Sequence, residues 1–303
     1  MYDLIISGKK INKKKVIVLI VLVVLLITIC TILGMKKAKS ENNRKYANEL
    51  ETQREEAEEQ LAKEKDEKEE QQKETQSRTE KISKPLTDEQ KYNILHIYNS
   101  NGEKRVFLTF DDGPTKAVTP FILNTLKQEN VKASFFPLGG NVSRNPDLVK
   151  REFDEGHYIG NHGYSHRYNE VYSSPEATLN EYNTTQQLIR DAIQNQSYMG
   201  NVFRFPGGSN GGKYNDKKQE SKELLLQNGI VHLDWNALSE DAAGKYTKEE
   251  LLANTENTIA DKNSVVILMH DSADKILTYE MLPDLINYLR EKGYTFKNIY
   301  DVL

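Results

Sequence analysis

The stretch VFLTF (residues 106–110) runs directly into DDGP (residues 111–114). Its apolar and β-branched residues predict a buried strand. Two adjacent aspartates at the end of such a strand repel each other, and each costs free energy unless it is solvated, paired or bound to a cation. Asp-Gly and Gly-Pro are also ordinary turn sequences, so an exposed turn is the competing interpretation.

Apolar runs alternate with helix-like segments from this strand to the C-terminus. The strand-like runs lie at 106–110, 133–139, 157–162, 201–206, 229–235 and 264–270, and the helix-like segments at 118–129, 146–155, 175–195, 216–228, 247–260 and 279–292. Apolar strands separated by helices are typical of a parallel sheet covered on both faces. We therefore predict an α/β fold for residues 85–303, in the form of a closed or nearly closed β/α barrel.

The N-terminal region contains a long apolar run, VIVLIVLVVLLITICTILGM (residues 16–35). Its length and lack of charge predict a single membrane-spanning signal anchor, with residues 1–15 in the cytoplasm and the bulk of the chain outside. A cleaved signal peptide and a lipoprotein processed at Cys30 are the alternatives. No small-residue cleavage site follows the run, and the bulky Ile29 precedes Cys30, so the uncleaved anchor is favoured.

A charged segment at residues 36–84 separates this run from the barrel and is rich in Glu, Lys and Gln. Such a composition cannot bury a core, and its many i,i+4 Glu/Lys pairs predict a solvated helical stalk. Pro85 marks the expected domain boundary. The net charge of −4 does not indicate a nucleic-acid partner. We expect a monomer, or weak association through the stalk.

Ionisable side chains collect at the predicted ends of the barrel strands. These residues are Asp111 and Asp112, His162 and His166, Arg204, Asp234, and His270. Active sites of α/β folds form beyond the carboxyl ends of the strands, so we expect these side chains to meet. Two histidines spaced i,i+4 and one carboxylate can hold zinc or a similar metal with one position left open.

A metal site would explain the paired aspartates, because one carboxylate could bind the ion while the other stays free as a base. The metal would activate water and polarise a carbonyl group. A histidine opposite would protonate the leaving group. Arg204 could orient the base, and Asp234 could do the same for His270. This set predicts metal-assisted hydrolysis of an amide or ester.

In this order and spacing, TFDDGP, NHGYSH, RFPGG, LDWN and LMH resemble the five motifs of the polysaccharide deacetylases (NodB-homology domain, carbohydrate esterase family 4). The resemblance covers residues 103–303 and implies a distorted (β/α) barrel. It implies that Asp111 is the general base, oriented by Arg204, and that Asp112, His162 and His166 bind the metal, commonly zinc. It also implies that His270 is the general acid, tuned by Asp234. The amide of Gly207 would be the oxyanion donor, and Trp235 and Leu268 would form the walls of the acetyl pocket. A simple turn glycine and ordinary core residues are the alternative interpretations of the last three.

Two positions depart from the family pattern. Gly163 stands where a Ser or Thr is usual, so we expect a less rigid ligand loop or a compensating bond. Gly207 stands where many members have an aromatic residue, which opens the groove and puts the substrate contact of that ring in question. Neither change removes an ionisable group, so an active enzyme is expected.

The resemblance and the predicted anchor together predict a membrane-bound deacetylase that faces the cell wall. N-acetylglucosamine of peptidoglycan is the favoured substrate, because DDGP resembles the enzymes of that group. N-acetylmuramic acid, an exopolysaccharide, a chitin-like polymer and a xylan ester are the alternatives. From other functional classes, the alternatives are a catalytically idle wall-binding module and a barrel metallohydrolase acting on a small amide.

Overall fold

A computed structural model describes residues 4–6, 9–11, 13–35, 41–244 and 246–303. The chain divides into two compact units, Met1–Glu74 and Thr75–Leu303. In the first unit, strands β1 (Leu4–Ile6) and β2 (Lys9–Ile11) pair antiparallel and precede helix α1 (Lys13–Met35).

Helix α1 covers the residues for which the sequence predicts an anchor. Among the described residues, no helix combines the length and the hydropathy that crossing a bilayer requires. The side chain of Cys30 lies outside the described residues. The anchor therefore stays a prediction.

Helix α2 (Glu41–Ile82) occupies most of the predicted stalk, whose first residues, 36–40, lie outside the described part of the chain. Most of its described side chains are exposed. Ion pairs spaced i,i+4 run along its surface: Arg54–Glu58 at 2.9 Å, Lys63–Glu59 at 2.7 Å and Lys68–Glu64 at 3.9 Å. Exposed pairs of this kind stabilise a helix only slightly, by about 0.3–0.5 kcal/mol each.

The second unit begins at Thr75, earlier than the boundary predicted at residue 85. The end of α2 belongs to it because Ile82 is 1% exposed and packs into the core. Lys81 Nζ also donates a hydrogen bond to the Tyr300 carbonyl at 2.8 Å. A short helix, α3 (Asp88–Leu95), follows and begins with a capping box formed by Thr87 and Gln90.

The remaining strands of the second unit are β3 (Arg105–Asp111), β4 (Ser134–Phe136), β5 (Tyr158–Ile159), β6 (Val202–Phe203), β7 (Val231–His232), β8 (Ala237–Leu238), β9 (Ser264–His270) and β10 (Thr295–Lys297). All pairs among them are parallel. The main sheet has the order β5-β4-β3-β9-β8, and β10 pairs with the start of β3. A bridge between Asn161 and Phe203 connects β5 to the two-stranded sheet β6-β7. This arrangement is consistent with a distorted barrel.

Helices alternate with these strands, as the sequence predicts. They are α4 (Thr119–Gln128), α5 (Gly139–Val142), α6 (Pro146–Asp154), α7 (Tyr168–Val171), α8 (Pro175–Ile193), α9 (Asn215–Gln227), α10 (Lys248–Ile259) and α11 (Ile276–Glu291), and a 3₁₀ turn at Ile299–Val302 ends the chain. The ranges predicted from the sequence do not include α3, α5, α7, β8 and β10; all of these except α3 have two to four residues and are too short to show a period.

The two long central strands, β3 and β9, determine where the predicted site residues at their ends lie. Strands β3 and β9 are in register from Arg105 opposite Ser264 to Asp111 opposite His270. The side chains between these ends are buried, so the pair forms the centre of the core. Asp111 and His270 therefore lie side by side at the carboxyl edge of the sheet.

Candidate active site

Asp111, the last residue of β3, is 2% exposed and forms a buried ion pair with Arg204. Arg204 Nη1 donates to Asp111 Oδ1 at 3.0 Å, so the contact predicted between the two residues is present. Burial raises the pKa of the Asp111 carboxyl, and the Arg204 charge opposes that rise. The Asp111 carboxyl is therefore more basic than that of an exposed aspartate.

Arg204 is itself fully buried, and each nitrogen of its guanidinium group donates a hydrogen bond. Its guanidinium donates to the hydroxyl of Thr109 at 2.6 Å and to the carbonyls of Leu233 and Asp234 at 3.0 and 3.1 Å. Such a fixed fork of donors can orient a carboxylate. Arg204 therefore holds the Asp111 carboxyl group in one position through Oδ1 and makes no hydrogen bond to Oδ2.

Asp112 turns away from the strand and meets the two histidines of the NHGYSH loop. Its φ of +75° lies in the left-handed region, which aspartate tolerates better than most residues. Its Oδ1 lies 3.5 Å from His162 Nε2 and 3.6 Å from His166 Nε2. The candidate ligand atoms of the three residues all lie within 4.8 Å of one another.

These three side chains fit a divalent metal. Asp112 Oδ1 is buried and has no hydrogen-bond partner among the described residues, as expected for an atom that needs a cation. Burial lowers the pKa of His162 to about 3, so its imidazole is neutral, the form that binds metals. Its Nδ1 hydrogen-bonds to the Arg204 carbonyl at 2.7 Å, which leaves Nε2 free as the ligand.

The ligand loop has the compensating bonds expected in place of the hydroxyl residue missing at Gly163. Glu181, on α8, accepts hydrogen bonds from the backbone amides of Tyr164 and Ser165 and from the Ser165 hydroxyl. The amide of Gly163 donates to Asn161 Oδ1 at 2.9 Å. The loop that carries His162 and His166 is therefore braced from the neighbouring helix.

Residue 113 of the DDGP turn must be a glycine because the carboxyl group of Asp271, which is not among the predicted site residues, lies against it. A Cβ atom at this position would lie 1.9 Å from Asp271 Oδ2. Asp271 is 1% exposed, accepts from the Thr119 hydroxyl at 2.6 Å, and has its pKa raised by burial to about 7. The turn can therefore close over the end of β9 only because residue 113 has no side chain.

His270 pairs with Asp241, and the prediction that Asp234 holds it is wrong. His270 Nδ1 lies 2.7 Å from Asp241 Oδ1, and the His270 amide donates to Asp241 Oδ2 at 2.8 Å. Asp234 instead accepts from the amide and hydroxyl of Ser209, the latter at 2.6 Å. The reason is the short strand β8, which pairs with β9 through Leu238 opposite Leu268 and so brings Asp241, three residues further on, to His270.

The pair is arranged as an ionised carboxylate and a protonated imidazole. Burial lowers the pKa of His270, but the hydrogen bond and charge of Asp241 outweigh it and raise the pKa to about 9. Burial would raise the pKa of Asp241, but the hydrogen bonds from His270 and Thr278 lower it below its usual value. His270 therefore carries a proton at neutral pH that it can donate.

The three predicted substrate-binding residues lie in different settings. Leu268 is 7% exposed and lies two positions before His270 in β9, so the two side chains share one face of the sheet. Trp235 is half-buried and lines a groove of about 290 Å³ together with Tyr98, Asn210 and Asp234. Gly207 is exposed, with φ +71°.

The chain is similar to known polysaccharide deacetylases. The family model for polysaccharide deacetylases matches residues 98–228. A peptidoglycan-N-acetylglucosamine deacetylase of Bacillus cereus is 37% identical over 209 residues, which cover 67% of this chain and 72% of that protein. A peptidoglycan-N-acetylmuramic acid deacetylase of Bacillus subtilis is 30% identical over 222 residues, 71% of this chain and 76% of its own. Among solved structures, a CE4 esterase of Streptococcus mutans has a TM-score of 0.62 and 32% identity over 71% of this chain and 91% of its own.

Proposed function

This chain belongs to the polysaccharide deacetylase family, and we propose that it removes N-acetyl groups from N-acetylglucosamine in peptidoglycan. The observation that carries the proposal is the cluster of Asp112, His162 and His166, which adjoins the Asp111–Arg204 pair. The choice of sugar is supported by the Bacillus cereus relative, which is the more similar of the two reported peptidoglycan deacetylases. N-acetylmuramic acid is the alternative that the experiment below tests.

The proposed metal is zinc, held by Asp112, His162 and His166. When bound, it would supply a Lewis acid for the acetamido group and for the attacking water. Asp111 takes the proton from that water, because its carboxyl group lies next to the ligands and is held there by Arg204. The Gly207 amide, which donates to no acceptor among the described residues, is free to bind the oxygen that becomes negative.

His270, which lies beside Asp111 on the neighbouring strand, completes the reaction. It gives its proton to the sugar nitrogen as the carbon–nitrogen bond breaks, so that an amine and acetate leave. Asp241 keeps the imidazole charged and oriented until that step. The face of β9 that carries His270 also carries Leu268, which we assign to the wall of the acetyl pocket, and Trp235 to its rim.

Acetate release by the purified full-length chain tests this function. We expect release from peptidoglycan and from N-acetylglucosamine oligomers, a loss of at least about 100-fold with a chelator, and recovery when zinc is restored. Release mainly from muramic acid residues would reassign the sugar. Activity on small amides alone would indicate the other barrel hydrolase. Metal binding with no release from any acetylated glycan would indicate an idle wall-binding module.

We also propose that residues 16–35 anchor the enzyme in the cell membrane with the second unit on the outer face. The uncharged run in α1 and the exposed, charged α2 that follows it support this placement. In cell fractions, the full-length chain should stay in the membrane pellet through a high-salt wash, whereas a variant that lacks residues 1–35 should not. A full-length chain in the soluble fraction would contradict the anchor, and a mature chain that begins after residue 35 would indicate a cleaved signal peptide.

A further inference from the structure

The side chain of Tyr168 fills the space that the missing side chain at residue 207 leaves open. A Cβ atom on Gly207 would lie 2.4 Å from Tyr168 Oη and 2.9 Å from Tyr168 Cζ. No substituent fits at residue 207 while the phenol is in this place. The glycine of RFPGG and the tyrosine that follows the NHGYSH loop are therefore complementary.

Tyr168 is held between a metal ligand and the Pro206–Gly207 turn. Its ring lies 5.6 Å from the ring of His166 and 5.8 Å from the ring of Tyr172, centroid to centroid. Tyr172, which is buried just after α7, donates its hydroxyl to the Pro206 carbonyl at 2.7 Å. The segment that carries Tyr168 is thus tied to the same turn that carries Gly207.

Two unused hydrogen-bond donors meet at this point. Neither the Tyr168 hydroxyl nor the Gly207 amide donates to an acceptor in the part of the chain that the structure describes. Because the amide nitrogen and the Cβ position are both bonded to Cα of residue 207, the two donors lie no more than about 5 Å apart. The tyrosine is 39% exposed, so a ligand can reach it.

We propose that Tyr168 is a substrate-contacting residue, whose hydroxyl donates a hydrogen bond to the acetamido oxygen beside the Gly207 amide. The proposal rests on the deacetylase function given above. The acetamido oxygen becomes negative in the transition state, so a fixed neutral donor stabilises that state more than the bound substrate. Tyr168 thereby occupies the space of an aromatic residue at position 207 and makes the substrate contact in its place, although it comes from another part of the chain.

Tyr168→Phe tests the proposal, because it removes the hydroxyl and keeps the ring packed against His166. With the zinc-loaded full-length chain we expect kcat/KM to fall roughly 10- to 100-fold, with most of the fall in kcat. Zinc content and melting temperature should not change. Tyr92→Phe is the matched control, since Tyr92 is an exposed tyrosine on α3 that stacks on His96, and it should leave both kinetic constants unchanged.

Two kinetic outcomes would overturn the proposal. Constants within twofold of the wild type would mean that the hydroxyl contacts nothing in the reaction, and a rise in KM alone would place it on a distant sugar. If the wild type fails to deacetylate any glycan, the function is wrong, but acetate still probes the same oxygen position. Acetate should then bind the zinc-loaded Tyr168→Phe protein at least about threefold more weakly than the wild type, and equal binding would overturn the contact.

Discussion

Asp111→Asn is expected to lower kcat roughly 10³-fold or more, because the amide cannot accept the proton of the attacking water. Its metal content should equal that of the wild type, since Asp111 is not among the three grouped ligands. The substitution removes the charge that Arg204 faces in the core, so the melting temperature must be compared as well. Acetate release and metal analysis of the purified variant provide the measurement.

His162→Ala is the comparison for this experiment. It removes Nε2, the atom that faces Asp112 at 3.5 Å, and should lose most of the bound metal together with the activity. A result in which both variants hold the same amount of metal would overturn the assignment of Asp111 as the base and His162 as a ligand.

In the wild type, kcat/KM should fall toward acid pH as Asp111 is protonated, and burial raises the pH at which this fall begins.

Asp241→Asn is expected to lower kcat/KM about 10²-fold near neutral pH, because His270 loses the charge that keeps it protonated. In the wild type His270 has a pKa of about 9, and the acid is active only below that value. Without the Asp241 carboxylate, burial lowers the pKa of His270 toward its ordinary value or below, against the smaller effect of the Asp111 and Asp112 charges. The alkaline limb of the pH profile should therefore move down by about two units or more.

Asp234→Asn is the matched control for this shift. Asp234 contacts Ser209 and forms no hydrogen bond with His270 among the described residues, so its substitution should leave the alkaline limb in place. The pH dependence of kcat/KM for both variants, together with NMR titration of His270, measures the effect. An alkaline limb that shifts in Asp234→Asn but not in Asp241→Asn would contradict the pairing of His270 with Asp241.

Much of the site could be predicted because its residues follow strands that the sequence marks clearly. The apolar run before Asp111 and the run before His270 both correspond to long buried strands, and their register brings the two residues together. The i,i+4 histidines lie in one loop, so their proximity is a local property. Asp241 was missed because it follows a strand of two residues, which leaves no periodic signal.

The sequence by itself determined the alternation of strands and helices, the order of the motifs and the chemical groups present in the site. Each of these depends on local periodicity or on the identity of single residues. Only the tertiary structure decided that Asp241 is the partner of His270, that Tyr168 fills the space at Gly207, and that the end of α2 belongs to the second unit. Such choices depend on which distant segments pack together, and the packing of short strands and turns is set by the whole core, beyond the reach of any local pattern.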